Sequence, residues 1–206
     1  MKLMADILIP VFNRPDAVAD LLESLQRHTP PELVGKILIG NDKSDAFTAQ
    51  WLQKQPASPI PLEIMNHPQN LGYAGNCNAL FASSGAPVAI LLNSDTVLPP
   101  GWLERMLAPF AQENIVLATP LSTEAANHTV RMNEGQSWRD VDSILKSQKP
   151  AYPDACTAIG FCMGARRSWF AASKQPLFDE AFKRGYGEDS DLHYRVLQGG
   201  KRSVIV

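Results

Sequence analysis

Acidic residues gather in three places where the chain could do chemistry. Asn41-Asp42-Lys43-Ser44-Asp45 follows the apolar run 35–40, Asn93-Ser94-Asp95 follows Val88-Ala89-Ile90-Leu91-Leu92, and Glu188-Asp189-Ser190-Asp191 follows Gly185-Tyr186-Gly187. In open α/β sheets ligands bind beyond the carboxyl ends of the strands, so a carboxylate there can hold a hard cation in front of a phosphate-bearing ligand. A carboxylate aimed into the same cleft can take the proton of an attacking hydroxyl. Asn70-Leu71-Gly72-Tyr73-Ala74-Gly75-Asn76-Cys77-Asn78 adds a small-residue turn that opens a helix. Free N–H groups at such a start favour phosphate. Each stretch also has a plainer reading. Asn, Ser and Asp stabilise turns, acids in a first turn oppose the helix dipole, and small residues let a helix pack closely on a sheet. Glu188, Asp189 and Asp191, crowded into four positions, exceed what a helix start requires.

The elements that must position these residues alternate along the chain. Residues 6–12 (DILIPVF), 35–40, 62–66, 88–92 and 115–119 read as strands, and short apolar runs of this kind are buried on both faces. Pro15 suits a first helical turn, and Val18, Leu21, Leu22 and Leu25 recur at helical spacing behind it. Further helices are expected through Trp51 and Leu52, through Ala79 to Phe81, after Pro99-Pro100-Gly101-Trp102, and through Leu192 to Leu197. Alternating strands and helices give a mostly parallel sheet wrapped by helices. Residues 121–150 are polar and aperiodic, which predicts a long loop with a short helix near 141–145. Residues 156–164 read as a strand and 166–172 as a short helix. A final strand begins at 202 and is still running at 206, so the chain is expected to be a piece of a longer protein.

Composition narrows the function classes. The chain has 206 residues and is 45% hydrophobic, enough for one domain with a full core. With 19 basic and 21 acidic residues the net charge is −2, which leaves no electrostatic footprint for nucleic acid. Cys77, Cys156 and Cys162 form neither a CxxC pair nor an even disulfide set, so buried thiols in a reducing, cytoplasmic compartment are expected. The start, with Asp6 and Pro10, is no signal peptide, and no segment is apolar and long enough to span a membrane. His193 reads as a partly exposed helix residue. Trp138, Trp169 and Tyr186 could stack on the rings of a ligand or serve in packing.

Five blocks, in order, resemble glycosyltransferase family two, with its GT-A nucleotide-sugar fold. Ile9-Pro10-Val11-Phe12-Asn13 is similar to the family's opening strand, and Asn41-Asp42-Lys43-Ser44 to its second strand end. Asn70-Leu71-Gly72-Tyr73-Ala74-Gly75-Asn76 is similar to its third block. Leu92-Asn93-Ser94-Asp95 resembles its Asp-x-Asp metal motif, and Gly185-Tyr186-Gly187-Glu188-Asp189-Ser190-Asp191-Leu192 its acidic block.

The resemblance implies an α/β, GT-A-like architecture: a mostly parallel central sheet flanked by helices, with a Rossmann-like nucleotide-sugar-binding half over 1–120 and an acceptor-side half over 121–206. It implies that Pro10, Phe12, Asn13 and Asp42 hold base and ribose, and that Gly72, Tyr73, Asn93 and Ser94 complete the nucleotide-sugar site. Asp95 would ligate a divalent cation, Mg2+ or Mn2+, although Asn93 stands where the motif has its first acid. Asp189 would be the general base of an inverting transfer from a nucleotide-diphosphate sugar to a saccharide or other hydroxyl acceptor, with Glu188 the second choice. The implied protein is cytoplasmic, or peripheral at the inner face of the membrane. A nucleotidyltransferase of similar fold and an inactive sugar-nucleotide-binding or scaffolding module are the alternatives.

Overall fold

The computed structural model describes residues 3–56, 58–182 and 186–206. Among them, strands β1 (Ala5–Val11), β2 (Val34–Asn41), β3 (Leu62–Asn66), β4 (Val88–Leu92), β5 (Ile115–Thr119), β6 (Cys162–Arg166) and β7 (Arg202–Ile205) form one sheet. Its order is β3-β2-β1-β4-β6-β5-β7. All neighbours run parallel except β6, which is antiparallel to both β4 and β5. Helices α1 (Pro15–His28), α2 (Ala46–Gln53), α3 (Gly72–Ser83), α4 (Trp102–Leu107), α5 (Trp138–Lys146), α6 (Arg167–Ser173) and α7 (Glu188–Gln198) cover it.

Every residue of β1, β4 and β5 is buried, because each of these strands is covered on both faces. Successive side chains of a strand point to opposite faces, so one strand feeds two cores. Ile7, Ile9 and Val11 join Leu21 and Leu25 of α1 and Trp102 and Leu103 of α4. Leu8 and Leu91 join Leu80 of α3 and Leu192 and Val196 of α7. Each such fully buried side chain stabilises the fold by roughly 1.5–3 kcal/mol.

One strand acid has a purely structural position. Asp6 lies at the amino rim, opposite the strand ends discussed above, and is 2% exposed. Its carboxylate accepts N–H bonds from Lys36 (3.1 Å), Gly85 (2.6 Å) and Ala86 (3.0 Å), tying β1 to the segments that enter β2 and β4. A buried charge is tolerated when its lone pairs are met in this way.

Two expectations need correction. The strand expected over 156–164 is instead β6 at Cys162–Arg166, because residues 157–161 spend their polar groups on the β4 end and on α7. Cys156 is exposed, whereas Cys77 and Cys162 are buried, and all three are free. The short helix in the long loop forms as α5, wider than 141–145, and opens on a reciprocal cap between Ser137 and Asp140.

Candidate active site

The carboxyl ends of β1 and β2 are stitched into one surface. Asn13 adopts a left-handed conformation (φ 59°), donates its N–H to Ser44 Oγ at 2.9 Å and accepts from Asp45 N at 2.9 Å. Phe12 stands out between these turns, 56% exposed, while Pro10 is buried within β1. Asp42 is buried, and its Oδ1 accepts the Leu71 N–H at 2.6 Å. Asn70 Nδ2 donates to the Asp42 carbonyl at 3.0 Å. Asp42 therefore anchors the start of α3, where Gly72 takes φ 73°.

The β4 end is built from three segments. Asn93 N–H donates to the Phe161 carbonyl at 2.8 Å. The Tyr73 hydroxyl, brought in by the first turn of α3, lies 3.0 Å from Asn93 Oδ1 and 3.0 Å from the Gly160 carbonyl. Its ring stacks on Phe178 at 5.9 Å. A side chain at residue 160 would bring its Cβ to 3.0 Å from the Tyr73 hydroxyl oxygen, so glycine allows this close approach. Ser94 is half-buried and Asp95 is exposed. Arg14, ion-paired with Asp16 at 3.2 Å, also feels the Asp95 charge across the β1–α1 turn.

Gly160 links this end to α7. Its N–H points to Asp189 Oδ2 at 3.4 Å, while Asp189 Oδ1 accepts from its neighbour Ser190 N at 2.7 Å. Gly187 enters the helix at φ 113°, where a Cβ would meet the Phe182 ring at 2.9 Å. Gly185 lies outside the described residues. The two adjacent acids have different surroundings. Glu188 is 6% exposed with Oε2 lacking any hydrogen bond, and burial, reinforced by the Asp189 charge, pushes its carboxyl pKa up. Asp189 is half-buried at the rim.

The floor between the acids is neutral. Burial pushes the Tyr73 hydroxyl and the Cys77 thiol well up, and Cys77 feels the charges of both Glu188 and Asp42. The geometry thus brings Asp42, Asn93 and the Glu188/Asp189 pair around one rim, with Phe12 and Asp95 open to solvent on it. Among the described residues no three His, Cys, Asp or Glu side chains converge to hold a metal. Asp95 accepts no hydrogen bond within the described residues, so its oxygens are free for a hard cation that takes its remaining ligands from a phosphate. The donor set fits a cation brought in with a phosphorylated ligand. It does not fit a permanent cage.

Other residues take positions the sequence did not reveal. His193 is buried at 6% exposure, because positions 192, 193 and 196 share the face that α7 lays on the sheet. His128 is completely buried near it, beside the backbone of Pro120 and Thr157. Neither ring nitrogen of His128, nor Nδ1 of His193, has a hydrogen bond of normal geometry. Burial lowers both pKa values, and His128 lowers that of His193 further. The folded protein therefore keeps both rings neutral where the unfolded chain, titrating near 6.5, takes up protons. Stability from this pair is complete above that value and is lost as pH falls below it. Melting temperature is expected to drop between pH 7 and pH 5, and His128→Leu should flatten that slope. An unchanged slope in thermal melts of the variant would show that other groups cause the loss. A lone histidine in a polar loop gave no signal of this, and neither did Gly160 in an apolar run.

Trp138 carries the Arg139 guanidinium 4.4 Å from its ring centroid and lines a cleft of about 540 Å³ between α1, the segment after Asp95, and α5. That cleft contains none of the rim acids. Trp169 packs edge-on against Phe170 at 4.9 Å, and Tyr186 is 96% exposed. No helix among the described residues is long and apolar enough to cross a membrane.

A family model described as Glycosyl transferase family 2 matches residues 6–173. The Pre-mycofactocin glycosyltransferase of Mycobacterium tuberculosis is 23% identical over 207 residues, covering 95% of this chain and 39% of its own length. The uncharacterized glycosyltransferase YwdF of Bacillus subtilis is 28% identical over 100 residues, covering 48% of this chain and 35% of its own. This chain thus spans well under half the length of these curated relatives. Among solved structures, mannosyltransferase PcManGT from Pyrobaculum calidifontis, in complex with GDP-Man and Mn2+, superposes with a TM-score of 0.70 at 13% identity. The match covers 100% of this chain and 57% of that one. S. aureus TarS 1-349 with UDP-GlcNAc superposes with a TM-score of 0.67 at 14% identity, covering 99% and 56%. These are likenesses of fold, and they agree with the α/β, GT-A-like architecture. With the family model spanning most of the chain and the fold shared with known transferases, the chain belongs to glycosyl transferase family 2.

Proposed function

We propose that this chain carries the donor site and the base of an inverting glycosyltransferase, which moves a sugar from a nucleoside-diphosphate sugar to an acceptor hydroxyl with a divalent cation on the diphosphate. The observation that carries the reading is the pair of contacts made by the Gly160 backbone. Its N–H faces Asp189, and its carbonyl meets the Tyr73 hydroxyl that also touches Asn93. One residue therefore links the β4 end to the α7 start, which in this reading puts the leaving group and the base on two sides of one cleft. The ligands named for the fold neighbours, GDP-Man with Mn2+ and UDP-GlcNAc, support a nucleotide-sugar donor.

In this reading Pro10, Phe12, Asn13 and Asp42 border the base and ribose, and the α3 start at Gly72 and Tyr73, with Asn93 and Ser94, borders the diphosphate. A cation held by Asp95 and the donor's phosphate oxygens would offset the charge that builds on the leaving diphosphate. The acceptor oxygen bonds to the anomeric carbon as the bond to the diphosphate oxygen breaks. Asp189 takes the acceptor's proton, since an alcohol is a weak nucleophile at neutral pH. Glu188 is set behind it, 6% exposed, where an acceptor hydroxyl does not reach it as it reaches the half-buried Asp189. A single displacement with one base inverts the anomeric centre. The enzyme so described works in the cytoplasm, and the acceptor is a saccharide or other hydroxyl compound.

A panel of UDP-, GDP- and dTDP-sugars, each titrated calorimetrically with and without Mn2+, tests this. At least one donor should bind more tightly with the cation and be turned over on long incubation. Binding without any turnover would point to a sugar-nucleotide-binding module, and no binding at all would end the proposal.

A further inference from the structure

The Tyr73 hydroxyl has one proton and, besides the buried Cys77 thiol one turn further along the helix, two oxygen neighbours at hydrogen-bond distance. The Gly160 carbonyl at 3.0 Å can only accept, and so can Asn93 Oδ1, also at 3.0 Å. A phenol donates one hydrogen bond and accepts others. With both neighbours acting as acceptors, one contact lacks a proton in a partly buried place. Turning the Asn93 amide over exchanges its oxygen and nitrogen with almost no change of shape. The hydroxyl then donates to Gly160, the Asn93 N–H donates to the phenol oxygen, and all three groups are satisfied. The far amide atom, which has no hydrogen bond among the described residues, becomes the oxygen. It sits two residues from the exposed Asp95.

We propose that Tyr73 is a positioning residue that holds the Asn93 amide with its oxygen turned to the cleft, as a neutral oxygen ligand for the cation beside Asp95. The inference rests on the transferase reading above and adds to it how a chain with Asn93 in place of an acid keeps two oxygen donors. An amide has one oxygen, so its orientation decides whether it can ligate. A carboxylate has an oxygen on each side and needs no such partner. Groups that orient a metal ligand from behind affect affinity by about 10–100-fold when removed.

The first experiment is a Mn2+ titration followed by electron paramagnetic resonance, with UDP or GDP present. Tyr73→Phe keeps the ring on Phe178 and should weaken Mn2+ about 10-fold. In an Asn93→Asp background the same substitution should change the Mn2+ affinity less than about twofold, since the carboxylate is indifferent to rotation. A merely structural role for Tyr73 would weaken both backgrounds alike. Equal losses, or no loss in the Asn93 protein, would overturn the proposal.

The second experiment uses the native sequence and needs no variant to fold for its readout. The Asn93 side-chain NH2 signal should show nuclear Overhauser contacts to the Tyr73 ring protons, and their absence would refute the proposed orientation. If the native protein binds no Mn2+ with either nucleoside diphosphate, the cation reading of the proposed function falls, and the Overhauser contacts still decide how the amide is turned.

Discussion

Asp189→Asn is expected to lower turnover by about 10²–10⁴-fold, the usual contribution of a positioned base, while leaving donor affinity nearly unchanged. The separation follows from the surroundings of the side chain. Asp189 Oδ2 faces the Gly160 N–H at 3.4 Å, and Oδ1 accepts from Ser190 N at 2.7 Å. An amide oxygen can keep one of these contacts, so the α7 start keeps its place while the proton acceptor is gone. Glu188 does not substitute, because it is buried at 6% exposure behind Asp189 and out of an acceptor's reach. Steady-state rates with a donor found in the nucleotide-sugar panel, paired with calorimetric affinity, measure both halves. Undiminished turnover in Asp189→Asn together with its loss in Glu188→Gln would move the base by one residue.

The second large effect is expected at Asp95. Asp95→Ala should abolish the Mn2+ dependence of donor binding and reduce turnover by about 10²-fold or more, since a cation on a leaving diphosphate supplies several kcal/mol of charge stabilisation. Adding a chelator to the native protein should reproduce the loss. The variant should melt at the native temperature, because Asp95 is exposed and accepts no hydrogen bond within the described residues. Asp42 makes a poorer probe. Its carboxylate holds the Leu71 N–H at 2.6 Å from a buried position, so removing it disturbs the start of α3 along with any ligand contact. Metal-dependent binding that survives in Asp95→Ala would place the cation elsewhere or remove it from the reaction.

Much of this architecture can be read from local pattern. Strands covered on both faces must be apolar throughout, so runs such as Ile37-Leu38-Ile39 and Val88-Ala89-Ile90-Leu91-Leu92 announce themselves, and polar residues mark where they leave the sheet. The helical stripe Val18, Leu21 and Leu25 is legible for the same reason. The resemblance of five blocks to glycosyltransferase family two ordered these elements, and the family match and fold agree with it.

Long-range hydrogen bonds and packing decided the rest. Gly160 reaches Tyr73 across 87 positions and Asp189 across 29, and no periodicity in either stretch encodes such a meeting. The antiparallel insertion of β6 between β4 and β5, and the burial of His128 and His193, likewise depend on which surfaces close over one another. Residue types and spacing by themselves settled which groups are available and which strands end in acid, because burial and turn chemistry act over a few neighbours. Which acid is buried behind its neighbour, which is left open to solvent, and which is spent on anchoring a helix emerged only in the folded chain, where solvent access and backbone donors are shared among distant segments.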